Sequence, residues 1–544
     1  MFDLRNMSRN NKCFTLLFIV MLIYTSILTY CQSIRGISYW DIFVYLQNAM
    51  LFSNVNIGSQ LSVPPVLSLL TAVPFRLGFV GETSLFVVSG ILFVFLSLGI
   101  YLLFSERFEA EVSFIACLIF SMFSLIVTWA LTGANDVPAL CFAVWALFFT
   151  VKGLKSNFNY YYLALIFFVL AFFTRFTEGF ILIVMGYYIL LNFNDFKKQL
   201  SRKRLLQLSG FIIVLGVIIC GVYIVKQGTI PFISQFLEVS SSNQVSSINV
   251  GYELNPLYYI QNLPEYLTSL NVSPGYFISL STSENVPTLL SFVILLFVAL
   301  YMIMFANNLW HYEVEEVVHK RLKVFAIILL SLLCVISYTH IPYMITEIVF
   351  VVILLLYYRW LPDKDNQMDY VMFLWIGIFF ILHSYHPVKV DRYIIPILVP
   401  LTYYFTQSLR YFIKEKKKII IIMSIVLLIM IPINVSYLMS ITQENPHTYE
   451  EKEATQWLKN YDQNYSSYNL SSDRGVVFSW YLKKYVYTTI PRVLTANNES
   501  LEDKLNSINA KYYIDSTSNT TDIRGYHCIY DNDKEIRVKI YERD

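Results

Sequence analysis

Long apolar runs recur along most of this chain, and they limit what it can fold into. A run of about 17 to 25 apolar residues can cross a bilayer as a helix, and such runs occur from Cys13 to about Leu438. Only 14% of the 544 residues are charged and 56% are hydrophobic, whereas a soluble globular domain has about a quarter charged residues. The sequence therefore predicts a polytopic α-helical membrane protein.

The apolar runs predict about thirteen transmembrane helices. They lie near residues 13–31, 83–104, 112–132, 137–153, 159–174, 178–193, 208–225, 287–306, 323–339, 342–358, 370–385, 391–409 and 418–438. The runs beside Arg175 and His340 can be paired differently, which changes the count by one or two. The first run has no convincing small-residue cleavage site, so we interpret it as a retained signal anchor.

Basic residues predict the orientation of these helices. With a cytoplasmic N-terminus, the basic segments 197–204, 319–323 and 410–418 lie in cytoplasmic loops. The opposite loops carry few Lys and Arg, as the positive-inside rule requires. An odd number of spans then places residues 439–544 on the extracytoplasmic side.

The distribution of apolar runs also predicts how the chain is divided into domains. We expect a transmembrane module at 1–438, with an outer first loop at 32–82 and a long outer loop at 226–286, and a small extracytoplasmic α/β domain at 439–544. In that domain "EEKEATQWLKNY" has helical periodicity, and "GVVFSWYL", "KYYID" and "IRVKIYER" are typical of short strands. The seven cysteines show neither a paired framework nor zinc-ligand spacing.

Asp41 is the one carboxylate in the apolar stretch 38–52. If this stretch is helical, Asp41, Tyr45 and Asn48 share one face at i, i+4 and i+7. The rest of the helix is apolar, which predicts a helix in the membrane interface with its apolar side in lipid and Asp41 facing a cleft. Alternatively, Ser38 and Asp41 form a capping box and Asp41 only begins the helix. The two roles are compatible.

Two further groups of charged residues are expected on the same outer side. Asp136, in "LTGANDVPALCF", lies where the third predicted span meets the fourth. An Asp at that place, before Pro138, is also ordinary N-cap chemistry, but two acids at one membrane face can act as a base and as a metal or acceptor ligand. Arg175 and Glu178 either pair in a tight turn or contribute to the cleft.

The densest polar cluster is "HSYHPVKVDRYIIPILVP", at residues 383–400. Its polar members are His383, His386, Lys389, Asp391, Arg392 and Tyr393. Ionisable groups at membrane depth are costly and suggest function. Lys389 and Arg392 are suited to binding a phosphate or pyrophosphate, whereas snorkelling explains a single cation near a helix end and not the whole cluster.

This arrangement resembles the GT-C superfamily of membrane glycosyltransferases, and most closely its protein O-mannosyltransferase and aminoarabinose-transferase-like group (the family 39 type). The resemblance covers about residues 13–438. Its motifs are "YWDIFVYLQNAM", "TGANDVPALCF", "TRFTEGF" and "HPVKVDRYIIPILVP". It implies transfer of a sugar, a hexose such as mannose, from a polyprenyl-phosphate donor to a protein, lipid or glycan acceptor at the extracytoplasmic face.

The resemblance also implies residue roles, with Asp41 as the catalytic or metal-linked acid. We expect Asp41 and Asp136 to be catalytic, Lys389, Arg392, Arg175, His386 and Tyr393 to bind the donor phosphate, and Tyr45, Asn48 and Glu178 to line the substrate cleft. A divalent cation such as Mg or Mn, if one is required, would bind Asp41 and Asp136. The alternative function is a secondary transporter or lipid-linked-sugar flippase, and no nucleic-acid partner is expected.

Overall fold

The computed structural model describes residues 8–37, 40–59, 63–227, 255–270, 286–310, 317–337, 343–360, 367–385, 389–440, 444–518, 520 and 522–544. Its first eleven α-helices are α1 Arg9–Arg35, α2 Trp40–Phe52, α3 Val66–Arg76, α4 Glu82–Phe104, α5 Ala110–Ser121, α6 Ser124–Trp129, α7 Asp136–Lys155, α8 Tyr160–Thr174, α9 Ile181–Leu191, α10 Phe193–Gln199 and α11 Arg202–Gln227. Then come α12 Tyr258–Gln261, α13 Leu263–Leu267, α14 Leu289–Trp310, α15 Val317–Ser337, α16 Tyr343–Trp360, α17 Gln367–Tyr385, α18 Leu398–Phe412 and α19 Lys416–Ser440.

The C-terminal region adds α20 Pro446–Tyr461, α21 Gly475–Leu482, α22 Pro491–Ala496 and α23 Leu501–Ser507. Short 3₁₀ helices lie at Phe176–Phe180, Asp391–Ile397 and Tyr465–Ser467. The strands are β1 Ser269–Leu270, β2 Val286–Pro287, β3 Asn469–Ser472, β4 Tyr487–Thr488, β5 Ala510–Asp515, β6 Tyr526–Asp531 and β7 Lys539–Arg543.

Within the described residues, five helices are long and apolar enough to cross a membrane. They are Arg9–Arg35, Glu82–Phe104, Asp136–Lys155, Gln367–Ser384 and Lys416–Met439. A sixth candidate is the pair Phe176–Leu191 and Phe193–Gln199, which is bent by 86°. Shorter apolar helices occupy other predicted spans, so the chain is a multi-pass helical protein. The count of thirteen and the orientation of the termini stay predictions.

Interruptions in two of the predicted spans position charged side chains on the described chain. The span at 112–132 is divided into α5 and α6, and an irregular segment with Gly133 at φ +86° follows. The span at 391–409 begins as a 3₁₀ helix that contains Pro396, because proline cannot donate the backbone hydrogen bond that an α-helix interior needs. Asp136 begins the helix after the first interruption, and Arg392 lies in the second.

The C-terminal region is a five-stranded sheet with helices packed on it. Its strand order is β4-β3-β5-β7-β6. Strand β3 is parallel to both β4 and β5, whereas β7 is antiparallel to β5 and β6. Helix α20 and strand β5 contain the predicted segments "EEKEATQWLKNY" and "KYYID", which confirms those two assignments. Of the predicted strand "IRVKIYER", the last five residues form β7, so this assignment is confirmed in part.

The predicted strand "GVVFSWYL" is wrong, because residues 475–482 form helix α21. Parallel strands need a crossover connection, and this helix makes the crossover from β3 to β4. All its side chains except Tyr481 are buried, so the segment is as apolar as a buried strand and its sequence pattern does not distinguish the two structures.

Helix α2 lies inside the protein, beneath the C-terminal region. Residues 42–50 are all buried, the Gln47 amide donates a hydrogen bond to the Val476 carbonyl at 3.0 Å, and the Phe43 and Tyr481 rings meet edge to face at 5.6 Å. The predicted interfacial helix with its apolar side in lipid is therefore wrong. Its apolar side packs against protein instead.

The turn from β3 into α21 generates a stability prediction. A Cβ at Gly475 would lie 2.8 Å from the Thr488 backbone nitrogen and 2.8 Å from the Tyr487 carbonyl oxygen. We expect Gly475→Ala to destabilise the C-terminal region by about 1 to 3 kcal/mol, because it forces β4 away from β3. Thermal unfolding and limited proteolysis of the purified protein measure the effect.

Gly186→Ala is the matched control. A Cβ at Gly186 meets nothing within 4 Å, and alanine is favoured over glycine inside a helix. An equal loss of stability in the two variants would contradict the steric explanation for Gly475.

Candidate functional site

Arg392 lies between two carboxylates that come from distant parts of the chain. Its Nη2 is 2.9 Å from Oδ2 of Asp41, and its Nη1 is 3.4 Å from Oδ2 of Asp136. Arg175 contacts the other oxygen of Asp136, with Nη1 2.7 Å from Oδ1. We call Asp41, Arg392, Asp136 and Arg175 the ion-pair chain. Its members belong to α2, the 3₁₀ helix before α18, the start of α7 and the end of α8.

The ends of helices position this ion-pair chain. Asn135 precedes α7, but its amide donates to the Thr174 carbonyl at 2.9 Å and makes no cap hydrogen bond. Asp136 contacts two arginines in place of the backbone. Asn135 thus occupies the N-cap position of α7, as the ordinary interpretation has it, but the side chains of Asn135 and Asp136 join the helix to neighbouring elements and make no cap hydrogen bond. The capping box proposed for Asp41 involves Ser38, which lies outside the described residues.

Aromatic rings flank both guanidinium groups. The Arg392 Cζ is 5.4 Å from the centre of the Trp129 ring and 5.8 Å from that of Tyr393. The Arg175 Cζ is 4.6 Å from the centre of the Tyr393 ring. Cation–π contacts at these distances add an attraction between the aromatic rings and the two guanidinium groups. Tyr393 thus takes part in the arrangement through its ring.

Solvent exposure decreases steeply along the ion-pair chain. The Asp41 side chain is 40% exposed and that of Arg392 is 6% exposed, whereas Asp136 is 1% exposed. An isolated charge at such depth is very costly, but a paired and hydrogen-bonded one is tolerated. A ligand that arrives from solvent therefore meets Asp41 first and the Arg392 guanidinium next.

The three residues predicted to line the cleft are buried close to this arrangement. Tyr45 and Asn48 are on α2 and are 4% and 1% exposed. Burial, together with the negative charge of Asp41, raises the pKa of Tyr45 above its usual range, so its hydroxyl stays protonated. Glu178 is fully buried, and neither of its carboxylate oxygens accepts a hydrogen bond from the described residues. Arg175 forms its ion pair with Asp136.

Lys389 and Asp391 contact other parts of the structure. The Lys389 ammonium donates to the carbonyls of His383 and Ser384, at 3.0 and 2.7 Å, at the end of α17. A cation there satisfies carbonyls that have no partner within the helix. Asp391 accepts hydrogen bonds from the hydroxyls of Tyr258 and Tyr266. These contacts favour a structural role for Lys389, whose phosphate role stays a prediction. His386 lies outside the described residues.

The divalent cation that the sequence analysis assigned to Asp41 and Asp136 also stays a prediction. Arg392 lies between these two carboxylates, so a metal bound by both would have to replace the guanidinium. The part of the chain that the structure describes holds no group of three His, Cys, Asp or Glu side chains placed to bind a metal. The residues present fit a site in which fixed guanidinium groups supply the positive charge.

Two residues near the ion-pair chain were not predicted from the sequence. Trp129 lies at the end of α6 beside Arg392. Arg474, at the turn between β3 and α21, has its Cζ 5.7 Å from the Trp40 ring centre, next to Asp41 in sequence. Its Nε is 2.8 Å from the buried Glu451 carboxylate. In the sequence, this turn is marked only by the Gly after "SSDR". The sequence pattern does not show that the turn lies against α2.

Comparisons with known proteins agree with this architecture. A family model described as dolichyl-phosphate-mannose-protein mannosyltransferase matches residues 62–224, which include Asp136 and Arg175. No curated relative matches the chain by sequence. ArnT from Cupriavidus metallidurans, solved with bound undecaprenyl phosphate, is similar in structure, with a TM-score of 0.59 and 11% identity over 97% of each chain.

An oligosaccharyltransferase from Archaeoglobus fulgidus is also similar in structure. Its apo form gives a TM-score of 0.53 at 11% identity, over 92% of this chain and 69% of that one. These likenesses confirm the resemblance predicted from the sequence: the chain has the GT-C fold of membrane glycosyltransferases. At this identity they establish the fold, and residue roles must be argued from the site itself.

The ion-pair chain predicts that its two carboxylates contribute very differently to stability. We expect Asp136→Asn to cost about 3 to 5 kcal/mol, because it leaves Arg175 and Arg392 buried without a shared carboxylate. Asp41→Asn should cost about 1 kcal/mol or less, because water solvates that end. Thermal unfolding of the two variants in the same detergent tests the contrast. Similar unfolding temperatures would contradict it.

Proposed function

We propose that this protein is an integral membrane glycosyltransferase that moves a sugar from a polyprenyl-phosphate donor to an acceptor at the extracytoplasmic face. The observation that carries the proposal is the ion-pair chain: a solvent-exposed carboxylate, Asp41, lies beside a buried guanidinium, Arg392. The first can remove a proton from an acceptor, and the second can stabilise the phosphate that leaves.

The proposed reaction needs few groups from the protein. An acceptor hydroxyl oxygen forms a bond to the anomeric carbon of the sugar while the bond from that carbon to the phosphate oxygen breaks. The hydroxyl proton passes to Asp41, and the electron pair of the broken bond stays on the polyprenyl phosphate. General-base catalysis supplies the first part. Arg392, supported by Arg175, stabilises the charge that develops on phosphate. We expect a single displacement with inversion.

The nature of the donor is supported by the similar proteins. The related ArnT structure was solved with undecaprenyl phosphate, and the matching family model is named for a dolichyl-phosphate-mannose donor. Both are polyprenyl phosphates, which supports a lipid-linked donor here, and the second supports a hexose such as mannose. The charge asymmetry of the loops supports a cytoplasmic N-terminus and an extracytoplasmic C-terminal region.

The acceptor is proposed to approach between α2 and the C-terminal region. Arg474 is 23% exposed and is anchored by Glu451, and its guanidinium covers Trp40, the residue before Asp41. A protein, lipid or glycan acceptor that reaches Asp41 from this side passes the Arg474 guanidinium. This position makes Arg474 a candidate contact for the acceptor, whereas Arg392 contacts the donor.

Sugar transfer by the purified protein tests the proposal. Nanodiscs would contain the protein, radiolabelled polyprenyl-phosphate hexoses and a membrane extract as the acceptor source. We expect Asp41→Asn to lower the transfer rate about 10² to 10⁴-fold, as loss of a general base does. Arg392→Lys should also lower it strongly, because lysine lacks the planar, bidentate donor geometry.

Glu82→Gln is the control for Asp41→Asn. Glu82 is a carboxylate at the same end of the bundle that accepts a hydrogen bond from Trp480 at 3.1 Å, and glutamine retains an acceptor. Normal transfer by Asp41→Asn would refute the assignment of the base. Absence of transfer from any donor, with movement of lipid-linked sugar across the same membranes, would favour the transporter alternative.

The acceptor proposal predicts a kinetic separation. Arg474→Gln should raise the apparent KM for the acceptor extract severalfold and leave the KM for the donor unchanged, since Arg474 lies on the acceptor side. Arg537→Gln is the control, because Arg537 pairs with Asp531 in the C-terminal sheet region. A change in both KM values, or in neither, would contradict the role of Arg474.

A further inference from the structure

Both terminal nitrogens of Arg392 contact carboxylates. Nη2 is 2.9 Å from Asp41 and Nη1 is 3.4 Å from Asp136, and the Trp129 and Tyr393 ring centres are 5.4 and 5.8 Å from its Cζ. A phosphate that binds both terminal nitrogens of Arg392 therefore competes with these two carboxylates for the guanidinium. The anion can take the place of one of them.

Exposure and partners decide which carboxylate moves. Asp136 is 1% exposed and is also held by Arg175 at 2.7 Å, so its removal would leave a second buried guanidinium without that partner. Asp41 is 40% exposed, and water can solvate it as soon as it leaves Arg392. An ion pair that is open to solvent contributes little to stability, whereas breaking a buried pair costs several times more.

We propose that the donor phosphate displaces Asp41 from Arg392, so that binding of the donor itself releases the catalytic base. This inference rests on the proposed function and adds an order to it. Before the donor binds, the Asp41 carboxylate contacts the Arg392 guanidinium and not the acceptor. After the phosphate takes over Nη2, Asp41 turns to the acceptor hydroxyl.

The exchange also keeps the buried charges balanced. Two guanidinium groups face two carboxylates in the ion-pair chain, and the phosphate brings further negative charge to it. Release of Asp41 to solvent removes one negative charge from the Arg392 guanidinium as the phosphate adds its own. The site therefore needs no unpaired buried arginine at any stage, since Arg392 exchanges one anion for another.

This coupling predicts that removal of the Asp41 charge strengthens anion binding. Equilibrium binding of radiolabelled geranylgeranyl phosphate to the full-length protein in detergent is the measurement. Loss of a competing ion pair worth about 1 kcal/mol corresponds to about fivefold tighter binding. We expect Asp41→Asn and Asp41→Ser to show a gain of up to about this size, and Asp41→Glu, which retains the charge, to bind about as tightly as the wild type.

Two controls separate competition for Arg392 from other effects. Geranylgeraniol has the same chain without the phosphate, so its binding should be the same in every variant. Glu82→Gln removes a carboxylate near the same end of the bundle, one that contacts Trp480 and Lys452, and it should leave phosphate binding unchanged. A gain for the alcohol equal to that for the phosphate would overturn the inference.

The outcomes distinguish this inference from the function on which it rests. If the wild type transfers sugar and binds the phosphate, but Asp41→Asn binds it equally or more weakly, release of the base is refuted and the glycosyltransferase proposal stands. If neither the wild type nor Asp41→Asn prefers the phosphate to the alcohol, both proposals fail. Tighter phosphate binding by both neutral variants, with loss of sugar transfer, would support both.

Discussion

The arrangement of the candidate site depends on how a buried arginine is neutralised. Arg392 is only 6% exposed, and a guanidinium at that depth needs carboxylate partners because it cannot be deprotonated. Those partners come from α2 and from the start of α7, so these elements must meet at the 3₁₀ helix that carries Arg392. The helix interruptions at residues 130–135 and 391–397 allow this meeting. At these places the backbone leaves the regular path of an α-helix, so Asp136 and Arg392 can lie beside each other.

The same requirement explains the place of the C-terminal region. Asp41 reaches Arg392 only if α2 is held against the bundle, and α2 is covered by α21 through the Gln47 hydrogen bond and the Phe43 contact. The backbone nitrogen of Asn445 also donates to the Arg35 carbonyl at 2.9 Å. The C-terminal region is therefore part of the construction of the candidate site. It fixes the helix that carries the exposed carboxylate.

The sequence revealed the fold class and several members of the site for one physical reason. Charged residues are rare in a chain with so many apolar runs, so each one inside a run is informative. Asp41, Asp136, Arg175 and Arg392 were recognised in this way, and the structure brings them into contact. Their partners were not predictable, because pairing joins residues up to 351 positions apart.

The features that the sequence pattern leaves undecided have a common origin too. Lys389 has the same charge as Arg392 and lies three residues away, but it turns to the carbonyls at the end of α17, and only the path of the backbone decides that. The apolar face of α2 looked suited to lipid, since hydrophobicity does not tell a lipid contact from a protein contact. Segment 475–482 is similar: a buried strand and a buried helix are both apolar throughout.

The charged groups of the ion-pair chain differ in solvent exposure, and we expect their roles to differ accordingly. Asp136 and Arg175 are almost completely buried and lie behind Arg392, so they orient that guanidinium, and their own loss acts first on stability. Asp41 lies at the solvent end, where a carboxylate can change partners at little cost in free energy. Asp136 also contacts Arg392 at the buried end, so the arginine keeps a carboxylate partner when Asp41 leaves. In the proposed exchange, the phosphate therefore replaces the carboxylate whose loss costs least, and the buried pair that stabilises the fold stays in place.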